Sequence, residues 1–84
     1  MKKAISVGAS SGIGEEMAKQ LSVKGYQLGL MARRIELLNN LNDELGGNHV
    51  VMQMDLQNFD DAENKMKTMI SELKDVDIIV LNSG

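Results

Sequence analysis

Cysteine and tryptophan are absent from this chain, and its aromatic residues are one tyrosine and one phenylalanine. Without thiols there are no disulfides, no thiolate zinc sites and no cysteine nucleophile. A reducing compartment is compatible with that, and a cytoplasmic location is the expectation. Two aromatic rings do not supply the stacking platforms on which single-stranded nucleic acid is held. Cationic charge is also scarce: 9 Lys and Arg against 12 Asp and Glu leave a net charge of −3, whereas a nucleic-acid footprint needs clustered basic residues. No nucleic-acid partner is expected. Long apolar runs are missing too, since none approaches the roughly 20 residues that cross a bilayer, and no membrane partner is expected. Met1-Lys2-Lys3 followed by Ala-Ile-Ser-Val has the start of a signal peptide, but the apolar stretch stops at Gly8, well short of an h-region. It reads as a first strand. The 84 residues allow a single domain with a limited core, because a chain this short buries only somewhat over about 60% of its unfolded surface.

The chain is organised around Gly8-Ala9-Ser10-Ser11-Gly12-Ile13-Gly14, which stands where an apolar β run ends and an amphipathic helical run begins. Glycines there permit turns that a Cβ forbids and let a ligand approach the main chain. The N–H groups and positive dipole end of the following helix favour a phosphate. The spacing G-x-x-x-G-x-G differs from the commoner G-x-G-x-x-G fingerprint. It also lacks the Lys and Ser or Thr of a triphosphate-binding loop, since Gly14 is followed by Glu15 and Glu16. A glycine-rich turn without a ligand is the plain alternative.

Taken in order, the pattern predicts a strand over Ala4 to Val7, apolar enough to be buried on both faces. A helix from about Gly12 to Lys24 follows, with Ile13, Met17, Ala18 and Leu21 as its buried stripe and Gly25 as its stop. Gln27 to Ala32 is a second strand, in which Gly29 suggests close packing of a neighbouring backbone. A second helix covers Ile35 to Leu45 and ends at Gly46-Gly47. His49 to Met54 is a third strand, with His49 at the end away from any ligand and at the surface. Asn58 caps a third helix whose apolar face carries Phe59, Ala62, Met66, Met69, Ile70 and Leu73. Val76 to Leu81 is a fourth strand. Strands alternating with helices make an α/β fold with a parallel sheet; right-handed crossovers leave few topologies, and the dinucleotide-binding one orders the strands 3-2-1-4. The switch point then lies between strands one and four, where the glycine turn meets Asn82-Ser83-Gly84.

The residue after strand two selects a cofactor. An acidic group there would bind the adenosine ribose and repel a 2′-phosphate. This chain has Arg33 and Arg34, 19 and 20 residues after Gly14, and a guanidinium binds phosphate in bidentate fashion. NADP(H) is favoured over NAD(H), by on the order of 10- to 100-fold for a charge-assisted hydrogen bond. The alternative is a solvated arginine pair at a helix start.

The stretch from Gly8 to Gly14 resembles the glycine motif of the short-chain dehydrogenase/reductase family, and the resemblance extends over essentially all 84 residues. It implies a Rossmann-like three-layer fold, with Gly8, Ser10, Ser11, Gly12, Ile13 and Gly14 around the cofactor's phosphates. Asp55 would meet the adenine amino group with Leu56 beside it, unless Asp55 is only a turn or capping residue. Leu81-Asn82-Ser83-Gly84 is similar to the family's Asn-Asn-Ala-Gly, with Asn82, Ser83 and Gly84 near the cofactor ribose. Val7 replaces the family's usual Thr, which ties strand one to strand four. The family's catalytic Ser, Tyr-x-x-x-Lys and Asn all lie beyond strand four, so no catalytic residue and no metal ligand is assigned here. Residues 1–84 are accordingly expected to form a partial NAD(P)-binding domain, inactive alone, from an oxidoreductase acting on an alcohol or carbonyl. A free-standing, non-catalytic dinucleotide-binding module is the alternative. The apolar strand four, left as a sheet edge, predicts self-association.

Overall fold

Four short apolar runs separated by amphipathic ones form a four-stranded parallel sheet in the computed structural model, which describes residues 2–10 and 12–82. The elements are β1 (Lys3–Val7), α1 (Gly12–Val23), β2 (Gln27–Ala32), α2 (Ile35–Glu44), β3 (Val50–Gln53), α3 (Phe59–Leu73) and β4 (Ile78–Leu81). The sheet order is β3-β2-β1-β4, the order expected of the dinucleotide-binding topology, with Val7 paired to Met31 on one side and Leu81 on the other. Alternation along the strands divides the core in two. Ala4, Leu28 and Leu30 pack with Ala18 of α1 and with Leu38 and Leu41 of α2. Ile5, Val7 and Met31 pack on the opposite face against Met69 and Leu73 of α3. The fold is therefore a Rossmann-like three-layer arrangement, and β1 is buried on both faces as expected.

The predicted boundaries hold to within one or two residues, and the packed faces need three corrections. In α1 the structure buries Gly14 and Ala18, while Ile13 is 72% exposed and Met17 38%. The helix lies so close to the sheet that only a residue without a side chain fits at Gly14. Ile13 and Met17, each one position earlier, are turned about 100° away from that contact. In α3, Met69 and Leu73 are buried, whereas Phe59 is 84% exposed at the helix's first residue and Ile70 is also exposed. At Gly29 the close neighbours are side chains rather than backbone: a Cβ would sit 2.6 Å from Met69 Sδ and 2.9 Å from Leu73 Cδ1.

His49 also departs from the expected surface position. It does precede β3 at the far end of the sheet, but its imidazole is half-buried and Nδ1 accepts the Leu28 N–H at 3.1 Å. The ring thus takes the place of a strand carbonyl, and the strand proper begins only at Val50. Burial lowers its pKa from the ordinary 6.5, and the accepted hydrogen bond requires a neutral Nδ1. Between the lowered folded value and the unfolded one, the unfolded chain binds more protons, so this contribution is complete above the unfolded pKa and is lost as pH falls below it. We expect the urea midpoint to drop from about pH 7.5 to about pH 5.5 in the native chain and to change less in His49→Gln. Equal slopes for the two proteins would disprove the assignment.

The end of α3 is marked by no glycine. Lys74 caps it with φ 59° and ψ 146°, and Asp75 follows at φ 50°. Such backbone costs a residue with a Cβ on the order of 1–3 kcal/mol, and only part of that is recovered on going to glycine because glycine also gains freedom in the unfolded chain. Lys74→Gly is expected to stabilise by about 1 kcal/mol, raising Tm by about 4–8 °C in a domain of this size. A thermal melt with no rise would show that this turn is not strained.

Candidate functional site

In a parallel sheet the loops that leave the C-terminal strand ends converge, and here they meet at the switch between β1 and β4. Gly8 turns out of β1 at φ +83°. Its N–H donates to the Met31 carbonyl at 2.7 Å, and the Ala9 N–H reaches the same oxygen at 3.3 Å. A Cβ on Gly8 would lie 2.0 Å from the Asn82 carbonyl oxygen. One on Gly14 would lie 2.2 Å from the Gly8 carbonyl oxygen and 2.8 Å from Asn82 Nδ2. The turn, the first residues of α1 and the end of β4 are thus in backbone-level contact. Gly12 differs from both: at φ +47° it has nothing within 4 Å of where a Cβ would be, which leaves its main chain open to a ligand.

Beside this junction runs a groove of about 500 Å³. Val7, Gly8 and Ser10 form its β1 side, Ala32, Arg33, Arg34 and Leu37 its β2–α2 side, and Met54, Asp55, Leu56 and Gln57 its β3 side, with Asn82 completing it. Of the residues singled out in the sequence, Gly8, Ser10, Arg33, Arg34, Asp55, Leu56 and Asn82 therefore line one groove. Gly12, Ile13 and Gly14 stand at the start of α1 outside its walls. Ser11, Ser83 and Gly84 lie outside the described residues. A broader depression of about 610 Å³ on α3 is lined by Lys67, Thr68, Ser71, Glu72 and Lys74. Its wall comes from one helix and the next residue, so it offers no opposing surface to grip a ligand.

The two arginines are not equivalent. Arg34 is the residue that opens α2, and its Nε stands 3.4 Å from Glu36 Oε1 in an exposed pair. The Arg33 guanidinium is exposed and has no acidic partner among the described residues. Asp55 lies partly buried, its Oδ1 accepting the Gln57 N–H at 2.9 Å. That bond makes the turn and leaves the second carboxylate oxygen available, so the turn role and a ligand role coexist. In the first turn of α1, Glu15 would compete with an anion for the helix's positive end. Lys19 offsets it, at 3.2 Å from Glu15 and 3.4 Å from Glu44, and those hydrogen bonds, the Glu15 one first, raise the Lys19 pKa.

Sequence reasoning did not place Val7, Ala32, Leu37, Met54 or Gln57 in the site. Leu37 follows Arg34 by three residues in the first turn of α2, its N–H donating to the Arg34 carbonyl at 3.2 Å, a spacing that could have placed it on the same wall. Met54 and Gln57 carry no such signal. Without the Thr that Val7 replaces, β1 and β4 are still joined through the main chain, the Asn82 N–H donating to the Val7 carbonyl at 3.0 Å. Among the described residues no helix is long and apolar enough to cross a membrane.

Compared with known proteins, residues 2–84 match the family described as short chain dehydrogenase. The chain belongs to the short-chain dehydrogenase family. Relatives of this short-chain dehydrogenase chain include the NADP-dependent 3-hydroxy acid dehydrogenase of Salmonella typhi, 35% identical over 77 residues, or 92% of this chain and 31% of that protein. Another is the 3-oxoacyl-[acyl-carrier-protein] reductase of Mus musculus, 33% identical over 92% of this chain and 33% of the relative. Among solved structures, the alcohol dehydrogenase of Thermococcus sibiricus complexed with 5-hydroxy-NADP superimposes with a TM-score of 0.92 at 36% identity, covering 100% of this chain and 37% of that one. The chain spans about a third of the length of the relatives it matches.

Proposed function

We propose that residues 1–84 are the NADP(H)-binding part of a short-chain dehydrogenase/reductase that transfers hydride between NADP(H) and an alcohol or carbonyl substrate. The observation that carries this reading is the convergence of the Gly8 turn, Arg33 and Asp55–Leu56 on one groove at the strand ends. Relatives named for NADP dependence, and one solved with an NADP derivative, support it. The residues fit such a cofactor: the main chain at Gly12 is open where a Cβ would otherwise stand, and Arg33 presents an uncommitted guanidinium. The glycine turn, with Ser10, Ser11, Ile13 and Gly14, would hold the pyrophosphate at the α1 N-terminus. Arg33, assisted by Arg34, would take the 2′-phosphate. Asp55 and Leu56 would receive the adenine, while Asn82, Ser83 and Gly84 would flank the second ribose. The cofactor supplies the hydride, and this chain's residues bind and orient it. No residue of the chain is assigned a catalytic role, and the chain alone is expected to be inactive.

Titration of the chain with NADPH and with NADH tests the reading. NADPH should bind tighter by about 10- to 100-fold, the worth of a charge-assisted hydrogen bond to phosphate. Equal affinities would overturn the cofactor preference, and no binding of either would overturn the reading. Self-association is part of the proposal. β4 is paired on the β1 side only among the described residues, and Ile79 and Leu81 on it are exposed, so two chains can join edge to edge. Light scattering should show dimers or larger species, and a monomer at high concentration would count against that part.

A further inference from the structure

Behind the Arg33 and Asp55 sides of the groove, four side chains connect the ends of β2 and β3 to the first turns of α3. Gln53, the last residue of β3, donates from Nε2 to the Arg33 carbonyl at 2.8 Å. Lys65 of α3 donates to the Gln53 carbonyl at 3.0 Å. Asp61, one helical turn earlier, lies 3.8 Å from Lys65, and its other oxygen accepts the Asp55 N–H at 3.2 Å. The Asp61 N–H is in turn held by Asn58 Oδ1 at 3.1 Å. Gln53, Asp61 and Lys65 line a second, smaller cavity of about 300 Å³, to which Arg33, Met54 and Asp55 also contribute.

We propose that Gln53, Lys65 and Asp61 act as positioning residues for the adenosine end of the site, an inference that rests on the cofactor reading above. Neither Gln53 nor Asp61 needs to touch the ligand. Gln53 holds the main chain from which the Arg33 side chain starts, and Asp61 holds the main chain from which Asp55 starts, so the separation of the two ligand-binding side chains is set from behind. Lys65 serves both arms. Its bond to the Gln53 carbonyl ties α3 to β3, and its charge offsets the Asp61 carboxylate, which would otherwise repel an anion bound near Arg33. Fixing a binding group in its bound position raises affinity by lowering the ordering cost of association.

The probe is adenosine 2′,5′-bisphosphate, the adenosine half of NADP with its 2′- and 5′-phosphates and without the nicotinamide. Asp61→Ala and Gln53→Leu should each weaken its binding about fivefold, the effect of one hydrogen bond of about 1 kcal/mol. Asp61→Asn keeps an acceptor for the Asp55 N–H and should recover most of the loss. Lys67→Ala, which breaks the exposed pair with Glu63 on the same helix, should leave binding unchanged. A role through Arg33 requires that Gln53→Leu add little once Arg33→Ala is present. Amide exchange at Asp55 in the ligand-free chain should quicken in Asp61→Ala. Unchanged affinity in both variants, or a Gln53→Leu loss that adds in full to that of Arg33→Ala, would overturn the proposal while leaving the cofactor reading intact. Failure of the native chain to bind the probe would overturn that reading, and this inference with it.

Discussion

Gly8→Ala is expected to remove a large part of the chain's stability and to lower its urea midpoint sharply. The added carbon would stand 2.0 Å from the Asn82 carbonyl oxygen, and both atoms belong to backbone held in the β1–β4 junction, so neither can swing aside as a side-chain tip could. The turn at φ +83° adds the cost of a left-handed residue with a Cβ, on the order of 1–3 kcal/mol. Relief of the overlap by shifting β4 costs a similar amount, as overpacking does in tight cores. The total, about 2–6 kcal/mol, compares with a stability of about 4–13 kcal/mol for a domain of this length at typical values per residue. Gly12→Ala is the informative contrast. Nothing lies within 4 Å of its Cβ position, so it should cost about 1–2 kcal/mol of stability while weakening cofactor binding by closing the approach to the main chain. Urea midpoints and NADPH titrations on both variants separate the effects, and a Gly8→Ala protein as stable as the parent would refute the close-packed junction.

Arg33→Ala carries the second large expectation. With no acidic partner among the described residues, the Arg33 guanidinium has nothing to give up on binding a phosphate, and its loss should lower NADPH affinity about 10- to 100-fold. NADH affinity should stay within about twofold, because no phosphate is there to contact. Arg34→Ala should do less, since its guanidinium is shared with Glu36 at 3.4 Å in an exposed pair of the kind that contributes at most about 1 kcal/mol. Both titrations at low and raised salt complete the test, as an exposed phosphate contact weakens with screening. Parallel loss of NADPH and NADH would make Arg33 a structural residue. No loss of either would make it a solvated one.

Much of this architecture is legible before folding. The glycine turn sits between a run of consecutive apolar residues and a helical repeat, and that change of period marks the end of β1 wherever the rest of the chain lies. Asn58 marks the start of α3 by its own side chain, which accepts the Asp61 N–H at 3.1 Å. Arg33 follows β2 directly and Asp55 comes two residues after β3, so the adjacency of these parallel strands brings both to one edge. The errors share a cause. Ile13 and Met17 look like a core stripe because their spacing is helical, yet the contact belongs to Gly14 and Ala18. Phe59 looks buried by composition and stands outside at the helix start. His49 reads as a surface residue because nothing local reveals that the Leu28 N–H lacks a strand partner.

Local chemistry was thus sufficient for the kind, order and stops of the elements and for the parallel sheet, because hydrophobic period and capping act within a few residues along the chain. The distance between layers and the pairing of side chains across them came only with tertiary packing. That packing turns α1 onto Gly14, presses Met69 and Leu73 against Gly29, leaves Arg33 without the partner that Arg34 has, and ties Arg33 to Asp55 through Gln53, Lys65 and Asp61. Each of these depends on atoms far apart in sequence meeting within a few ångströms, which no periodicity encodes.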